Sequence, residues 1–169
     1  MDERTAHDSR VCCLHRISSS PLFTFASGSS RGDVKVWQVS SSSRSSLQLQ
    51  STCRGHVRAV WAMCCLKRQR RHETTRLATA SADSTVRIWN IQSGACVRML
   101  RHINDGTILT ISVSSDHRSV VYGGDDHTVR IGNADYDDSR VLRGHKGPVY
   151  KVLCLKNDSS KLVTSSWDR

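Results

Sequence analysis

Gly32-Asp33-Val34-Lys35-Val36-Trp37, Ser84-Thr85-Val86-Arg87-Ile88-Trp89 and His127-Thr128-Val129-Arg130-Ile131-Gly132 are three versions of one phrase, and a fourth copy is interrupted at Ser166-Trp167-Asp168-Arg169. The phrase closes at positions 37, 89 and 132, steps of 52 and 43 residues. Self-similarity at about 40–45 residues marks a repeat architecture, in which each unit buries its apolar surface against its neighbours. The most complete copy runs from Arg54-Gly55-His56 to Trp89-Asn90. Residues 57–66 are apolar enough for a strand covered on both faces, 77–81 form a short second strand, and 85–89 alternate as a half-buried strand does. Ala82-Asp83-Ser84 makes a tight turn, 91–94 turn the chain again, and 95–100 supply a fourth strand. No helical periodicity intervenes, so each copy reads as a small antiparallel four-stranded sheet.

A Gly-His opening and a Trp-terminated third strand, recurring together, resemble the WD-repeat family of β-propellers over about residues 10–169. The resemblance implies an all-β fold of four-stranded blades, each pinned by a hydrogen-bonded tetrad of His, Ser/Thr, Asp and Trp. Such a set satisfies every polar group it buries: the Asp orients the His, the His bonds the hydroxyl, and the hydroxyl accepts the indole N–H. Carried over by residue, the second copy matches at His56, Thr79, Asp83 and Trp89, and the fourth at His145, Thr164 and Asp168. The first offers Ser27 and Trp37, but Arg31 stands where the Asp belongs and no clear Gly-His precedes it. The third keeps Asp126, with Tyr122 for the hydroxyl residue, Gly132 for the Trp and Arg101-His102 without a Gly. Complete tetrads are not expected in copies one and three.

The expected organisation is an N-terminal tail (1–9), a first blade (10–53), a second (54–101), a third (102–142) and an interrupted fourth (143–169). That is about three and a half blades, an incomplete ring of a type whose members commonly close at about seven. The chain is expected to be a fragment of such a ring, or half of one closed by a second chain, with an unpaired strand edge in its last blade.

The formal net charge is +10. Lys67, Arg68, Arg70, Arg71 and Arg76 form a basic insertion between the first two strands of the second copy. His56 to Asp83 is 27 residues where His145 to Asp168 is 23, so the insertion adds about four. It reads as a solvated loop, with a phosphate- or nucleic-acid-binding patch as the alternative. The Ser-rich run 40–46 reads as a second expanded loop.

Seven cysteines invite a metal or disulfide reading, which alignment of the copies removes. Cys65 and Cys154 each lie nine residues after their His and precede Leu-Lys, and Val113 takes the same place in the third copy. That is an apolar slot a free thiol fills well. Cys12 and Cys13 read as the same strand of the first copy, and adjacent Cys64 and Cys65 point to opposite faces. With no CxxC, no His-x-x-x-His, no export signal and no apolar run of about 18 residues, neither metal nor cofactor nor membrane span is expected. The compartment expected is reducing: cytoplasm, nucleus or both.

The Ser, His and Asp combinations belong to the tetrads, so no enzyme and no small-molecule substrate is expected. Arg31-Gly32-Asp33 reads as a turn rather than an adhesion tripeptide. In blades of this kind the Gly-His loop and the Asp turn share one end, the top face, where relatives often bind partners. Asp125 and Trp167 precede turn Asp residues, and Trp61 and Tyr150 lie five residues after their His. Exposed aromatics dominate interface hot spots. The reading is a noncatalytic scaffold or adaptor binding peptide segments of other proteins at the top face. The alternatives are a nucleic-acid- or phosphate-associated propeller using 67–76, and an inactive fragment.

Overall fold

The computed structural model describes residues 7–18, 23–39, 47–67, 75–101, 106–155 and 158–168, and its regular structure is entirely β. The Ser-rich run, His102, and Arg68, Arg70 and Arg71 of the basic insertion lie outside the described residues. The first sheet comprises β1 (Val11–Ser18), β2 (Phe23–Ser29), β3 (Val34–Val39) and β4 (Leu47–Cys53). The second comprises β5 (Val60–Leu66), β6 (Arg76–Ser81), β7 (Thr85–Asn90) and β8 (Cys96–Arg101). In the third, β9 (Ile108–Val113), β10 (Ser119–Gly124), β11 (Val129–Asn133) and β12 (Ser139–Leu142) follow the same order. The fourth holds β13 (Val149–Leu155) and β14 (Asp158–Ser166). Every pairing is antiparallel between consecutive strands. The result is three complete blades, half of a fourth and an open ring.

Consecutive blades pack face to face, so an inner blade uses one face for the blade before it and the other for the blade after it. Met63, Leu77 and Trp89 join Ala26, Val36 and Cys53 in the core between blades one and two. From the opposite face, Cys64, Ala78 and Ile88 meet Ile108, Val120 and Tyr122 of blade three. Val121 and Val129 meet Val149 and Val152 between blades three and four. The two outermost faces have no such neighbour among the described residues. Leu14, at the register place of Met63, is 67% exposed, and Leu153, at that of Cys64, is 48% exposed.

The second blade holds its four polar residues together. His56 Nδ1 lies 2.7 Å from Asp83 Oδ2 and His56 Nε2 lies 2.7 Å from Thr79 Oγ1, while Trp89 Nε1 donates to the same Thr79 oxygen at 2.8 Å. An ionised Asp83 only accepts, so the His56 proton sits on Nδ1 and the Thr79 hydroxyl donates to Nε2. Asp83 also takes the Val57 N–H and both the N–H and hydroxyl of Thr85. This is why β5 begins at Val60 rather than at the expected residue 57: Val57 is tied into the loop. Gly55 has positive φ (156°) and lies against the Arg87 guanidinium, which stands 5.9 Å over the Trp89 ring. The turn residue after the Asp position has positive φ in three blades: Gly32 at 94°, Ser84 at 64° and His127 at 63°.

The other blades vary this arrangement. In the fourth, His145 Nδ1 is 2.9 Å from Asp168 Oδ2 and Nε2 is 2.8 Å from Thr164 Oγ1. In the first, the His is His7, which falls within the expected N-terminal tail 1–9. It is buried, with Nε2 2.7 Å from Ser27 Oγ, and Ser27 accepts the Trp37 indole N–H at 2.8 Å. Ala6 replaces the Gly, and that masked the match. No carboxylate reaches His7 Nδ1, which has no partner among the described residues. In the third, Tyr122 and Gly132 exchange bulk: a Cβ on Gly132 would meet Tyr122 Cε1 at 3.5 Å and Leu100 Cδ1 at 2.8 Å. Arg130, 2% exposed, faces Asp126 with Nη2 3.6 Å from Oδ2.

Burial alone would raise the Asp83 pKa, but hydrogen bonds from His56, Thr85 and the Val57 N–H outweigh it and hold the carboxyl far below the usual range. An unfolded Asp titrates near ~3.9, so this stabilisation is complete above that value and is lost as pH falls toward the folded pKa. The His7 pKa is lowered, first by burial and then by Lys35. The unfolded imidazole titrates near ~6.5, so stability falls as pH drops through that value and the denatured chain takes up the proton. Thr79→Val should cost about 1–3 kcal/mol in urea denaturation, by orphaning His56 and Trp89. Thr164→Val should cost less, because the His145 and Asp168 side chains are 26% and 17% exposed against 0% and 5% for His56 and Asp83. Arg31→Asp gives His7 Nδ1 an acceptor. It should stabilise by about 1 kcal/mol and flatten the loss of stability between about pH 7 and 5.5. Urea midpoints measured across that interval check it, and an unchanged pH profile contradicts it.

Candidate functional site: the top face

In blades two and four the tetrad networks tie the Gly-His loop to the Asp turn at one end of the sheet, and the first strand of each starts there. The pairing of β5 with β6 slips between Val60 and Ala62, and that of β13 with β14 between Val149 and Lys151. Trp61 and Tyr150 are the extra residues. A bulge re-aims a side chain out of the alternation, which is how these two leave the core packing. Trp61 is 39% exposed and Tyr150 48%. Trp167, 79% exposed, stands edge-on to Tyr150 with ring centroids 6.1 Å apart. Asp125 is exposed, its N–H donating to Thr107 O at 3.0 Å. The same slip skips Cys12 in blade one and Leu109 in blade three. The sequence reading missed these two, although each directly follows the first residue of its strand as Trp61 and Tyr150 do.

Three arginines accompany the aromatics and were also missed. The Ser30 N–H donates to Arg10 O at 2.8 Å, and a Cβ on Gly32 would lie 2.3 Å from His56 O and 3.0 Å from Arg58 O. The backbones of Arg10, Arg31 and Arg58 are therefore neighbours across blades one and two, and all three side chains are exposed. No ion pair engages them among the described residues. Asp8 and Asp33 lie in the same segments, leaving the patch net positive.

The basic insertion is smaller than expected. Arg76 is not a loop residue: it opens β6, and its guanidinium sits 2.7 Å from Asp135 Oδ1 across the junction of blades two and three. Arg98 reinforces that junction through Asp137 at 3.3 Å. Lys67 is exposed, its backbone N–H donating to His117 Nδ1 at 3.4 Å.

The seven thiols are all free. Burial pushes Cys13 and Cys53 up to about 12, Cys65 to about 11 and Cys64 higher still, so these four are poor nucleophiles at neutral pH. Cys64 and Cys65 are both buried, one in each sheet face, and Cys154 is half-buried. The slot shared by Cys65 and Cys154 is filled in blade one by Arg16 rather than by Cys12 or Cys13, as the pairing of Arg16 with Phe25 shows. No cluster of metal-ligating side chains and no helix long and apolar enough to cross a membrane occurs among the described residues.

Comparison with known proteins agrees with this geometry. The family model for the WD domain, G-beta repeat, matches residues 2–38, 47–90, 94–131 and 137–169. Among similar proteins are the DENN domain and WD repeat-containing protein SCD1 of Arabidopsis thaliana (27% identical, covering 99% of this chain and 13% of that protein) and Protein SPA1-RELATED 3 of the same plant (30% identical, 85% and 16%). The human serine-threonine kinase receptor-associated protein is 28% identical over 68% of this chain and 31% of its own length. The WD40 β-propeller domain of Doa1 superposes with a TM-score of 0.77 at 20% identity, covering 96% of this chain and 50% of that one. The chain thus spans less than a third of these relatives and half of the solved propeller. Four repeat matches laid over four consecutive sheets leave one assignment: the chain belongs to the WD40 repeat family.

Proposed function

We propose that this chain is a noncatalytic scaffold whose top face binds peptide segments of other proteins. WD40 propellers typically serve as protein-interaction platforms, and the relatives are themselves WD-repeat proteins. One observation carries the finer reading: Trp61 and Tyr150 stand at equivalent bulges with 39% and 48% of their surface exposed, and Trp167 leans on one of them. Aromatic surface left in water at the end of a packed blade is what a hot spot looks like before its partner arrives. The free thiols support a reducing compartment, cytoplasm or nucleus, as its place of work.

The test selects binding peptides from a random library on the 1–169 chain and measures their affinity for variants. Trp61→Ala and Tyr150→Ala should each weaken binding at least about tenfold, with unchanged thermal unfolding and weak dependence on salt. Equal binding to the alanine variants would contradict the reading. So would affinity that collapses between low and physiological salt and disappears when Lys67, Arg68, Arg70 and Arg71 are neutralised, which is the behaviour of a phosphate-binding surface.

A further inference from the structure

Blade one keeps the turn of blade two and reverses its charge. The Arg31 N–H donates to Ser29 Oγ at 3.3 Å, as the Asp83 N–H donates to Ser81 Oγ at 3.1 Å. The Ser30 N–H donates to the Arg10 carbonyl, as that of Ala82 does to the Ala59 carbonyl. Arg31 therefore takes the place of Asp83, with its side chain exposed. In blades two and four the carboxylate at this place has a fixed task. One oxygen, Asp83 Oδ2 or Asp168 Oδ2, accepts from the His Nδ1 and from the main-chain N–H of the residue after that His. The corresponding donors in blade one are His7 Nδ1 and the N–H of Asp8.

His7 is committed as a donor. It is 7% exposed, its Nε2 lies 2.7 Å from Ser27 Oγ, and Ser27 already accepts the Trp37 indole N–H. The Ser27 proton therefore goes to Nε2, which leaves the imidazole proton on Nδ1. That N–H is buried and has no acceptor among the described residues. A buried donor left unmatched costs stability, and such departures concentrate at functional positions. With Nε2 held on Ser27, Nδ1 is turned toward the Arg31 turn as His56 Nδ1 is toward Asp83.

Cations border the same place. Gly32 brings the Arg31 turn against blade two, where a Cβ would lie 3.0 Å from Arg58 O, and Arg10 is tied to the turn by Ser30. All three guanidinium side chains are exposed. A guanidinium takes a carboxylate through two parallel N–H···O bonds. Asp8 and Asp33 lie in the same segments and repel a doubly charged phosphate more than a single carboxylate. Unmatched donors that elsewhere share one carboxylate oxygen, next to exposed arginines, define the ligand: one carboxylate.

We propose that the Arg31 turn of blade one binds the side-chain carboxylate of a Glu or Asp residue in a segment of another protein, with Arg31 and Arg58 pairing it and His7 Nδ1 donating to it. The proposal rests on the top face being a peptide-binding surface and names the side chain that blade one selects. The inner side of the site is closed to water, so salt weakens the contact little.

The test selects peptides from a random library on the 1–169 chain and remakes each binder with Gln for Glu and Asn for Asp. The binders should share one acidic position, and the amide forms should bind at least about tenfold more weakly. Arg31→Ala and Arg58→Ala should each weaken the acid form at least about tenfold and the amide form little. Arg31→Asp fills the place from within, so the preference for the acid should vanish while the urea midpoint rises, which separates binding from folding. Equal affinity of acid and amide peptides, an acid preference that survives Arg31→Asp, or tighter binding of a phosphoserine peptide than of its Glu counterpart would each overturn the proposal. The aromatic reading of the top face fails separately: binding that ignores Trp61→Ala and Tyr150→Ala sinks that reading and leaves the acid preference standing.

Discussion

The structure depends on the hydroxyl of Thr79. It donates to an imidazole and accepts from an indole in a space closed to water, and those partners come from the loop before β5 and from β7. No other small side chain does both at once, since a hydroxyl alone combines one donor with acceptor lone pairs on a single atom. Through it the three inner strands of the blade share one fixed point. Asp83 then extends that point to the surface by holding the Val57 N–H and the start of β7. The loop before β5 is shaped by this network, and the bulge that exposes Trp61 begins within a few residues of it, as the bulge at Tyr150 does beside His145 in blade four.

A buried polar network is stable when every member is satisfied or when the whole set is replaced, and the blades show both outcomes. Blade two satisfies all members. Blade three replaces them: the bulk of the Trp passes to Tyr122, Gly132 makes the room, and Arg130 with Asp126 takes the polar role. Blade one is caught between, with a His, a hydroxyl and a Trp in place but the second imidazole nitrogen unmatched. The departures in the sequence are thus coupled exchanges, intelligible only once the side chains face one another.

The fold was legible because the phrase ending in Trp37, Trp89 and Gly132 carries both strand alternation and repeat spacing, and those two signals agree. The tetrad of blade two was legible for the same reason, as its four residues keep motif spacing. His7 was not: Ala6 breaks the Gly-His pair, and only the 2.7 Å contact to Ser27 identifies the imidazole. Arg76 was misread because it follows a basic run closely in sequence, and charge alone does not reveal that its guanidinium pairs with Asp135 on the next blade. The arginine patch across blades one and two escaped notice because Arg10, Arg31 and Arg58 are far apart in sequence and meet only through the Gly32 turn.

Four tryptophans summarise the account. Trp37 and Trp89 are locked by hydroxyl acceptors, and Trp61 and Trp167 are displayed. Hydrogen exchange of their indole N–H groups, followed by NMR on the 1–169 chain, reads this division directly. The Trp89 proton, followed by that of Trp37, should exchange only when the blade opens, while those of Trp61 and Trp167 should exchange at nearly the rate of a free indole. A Trp89 proton that exchanges as fast as the Trp167 proton would contradict the claim that the Thr79 hydroxyl holds the blade together.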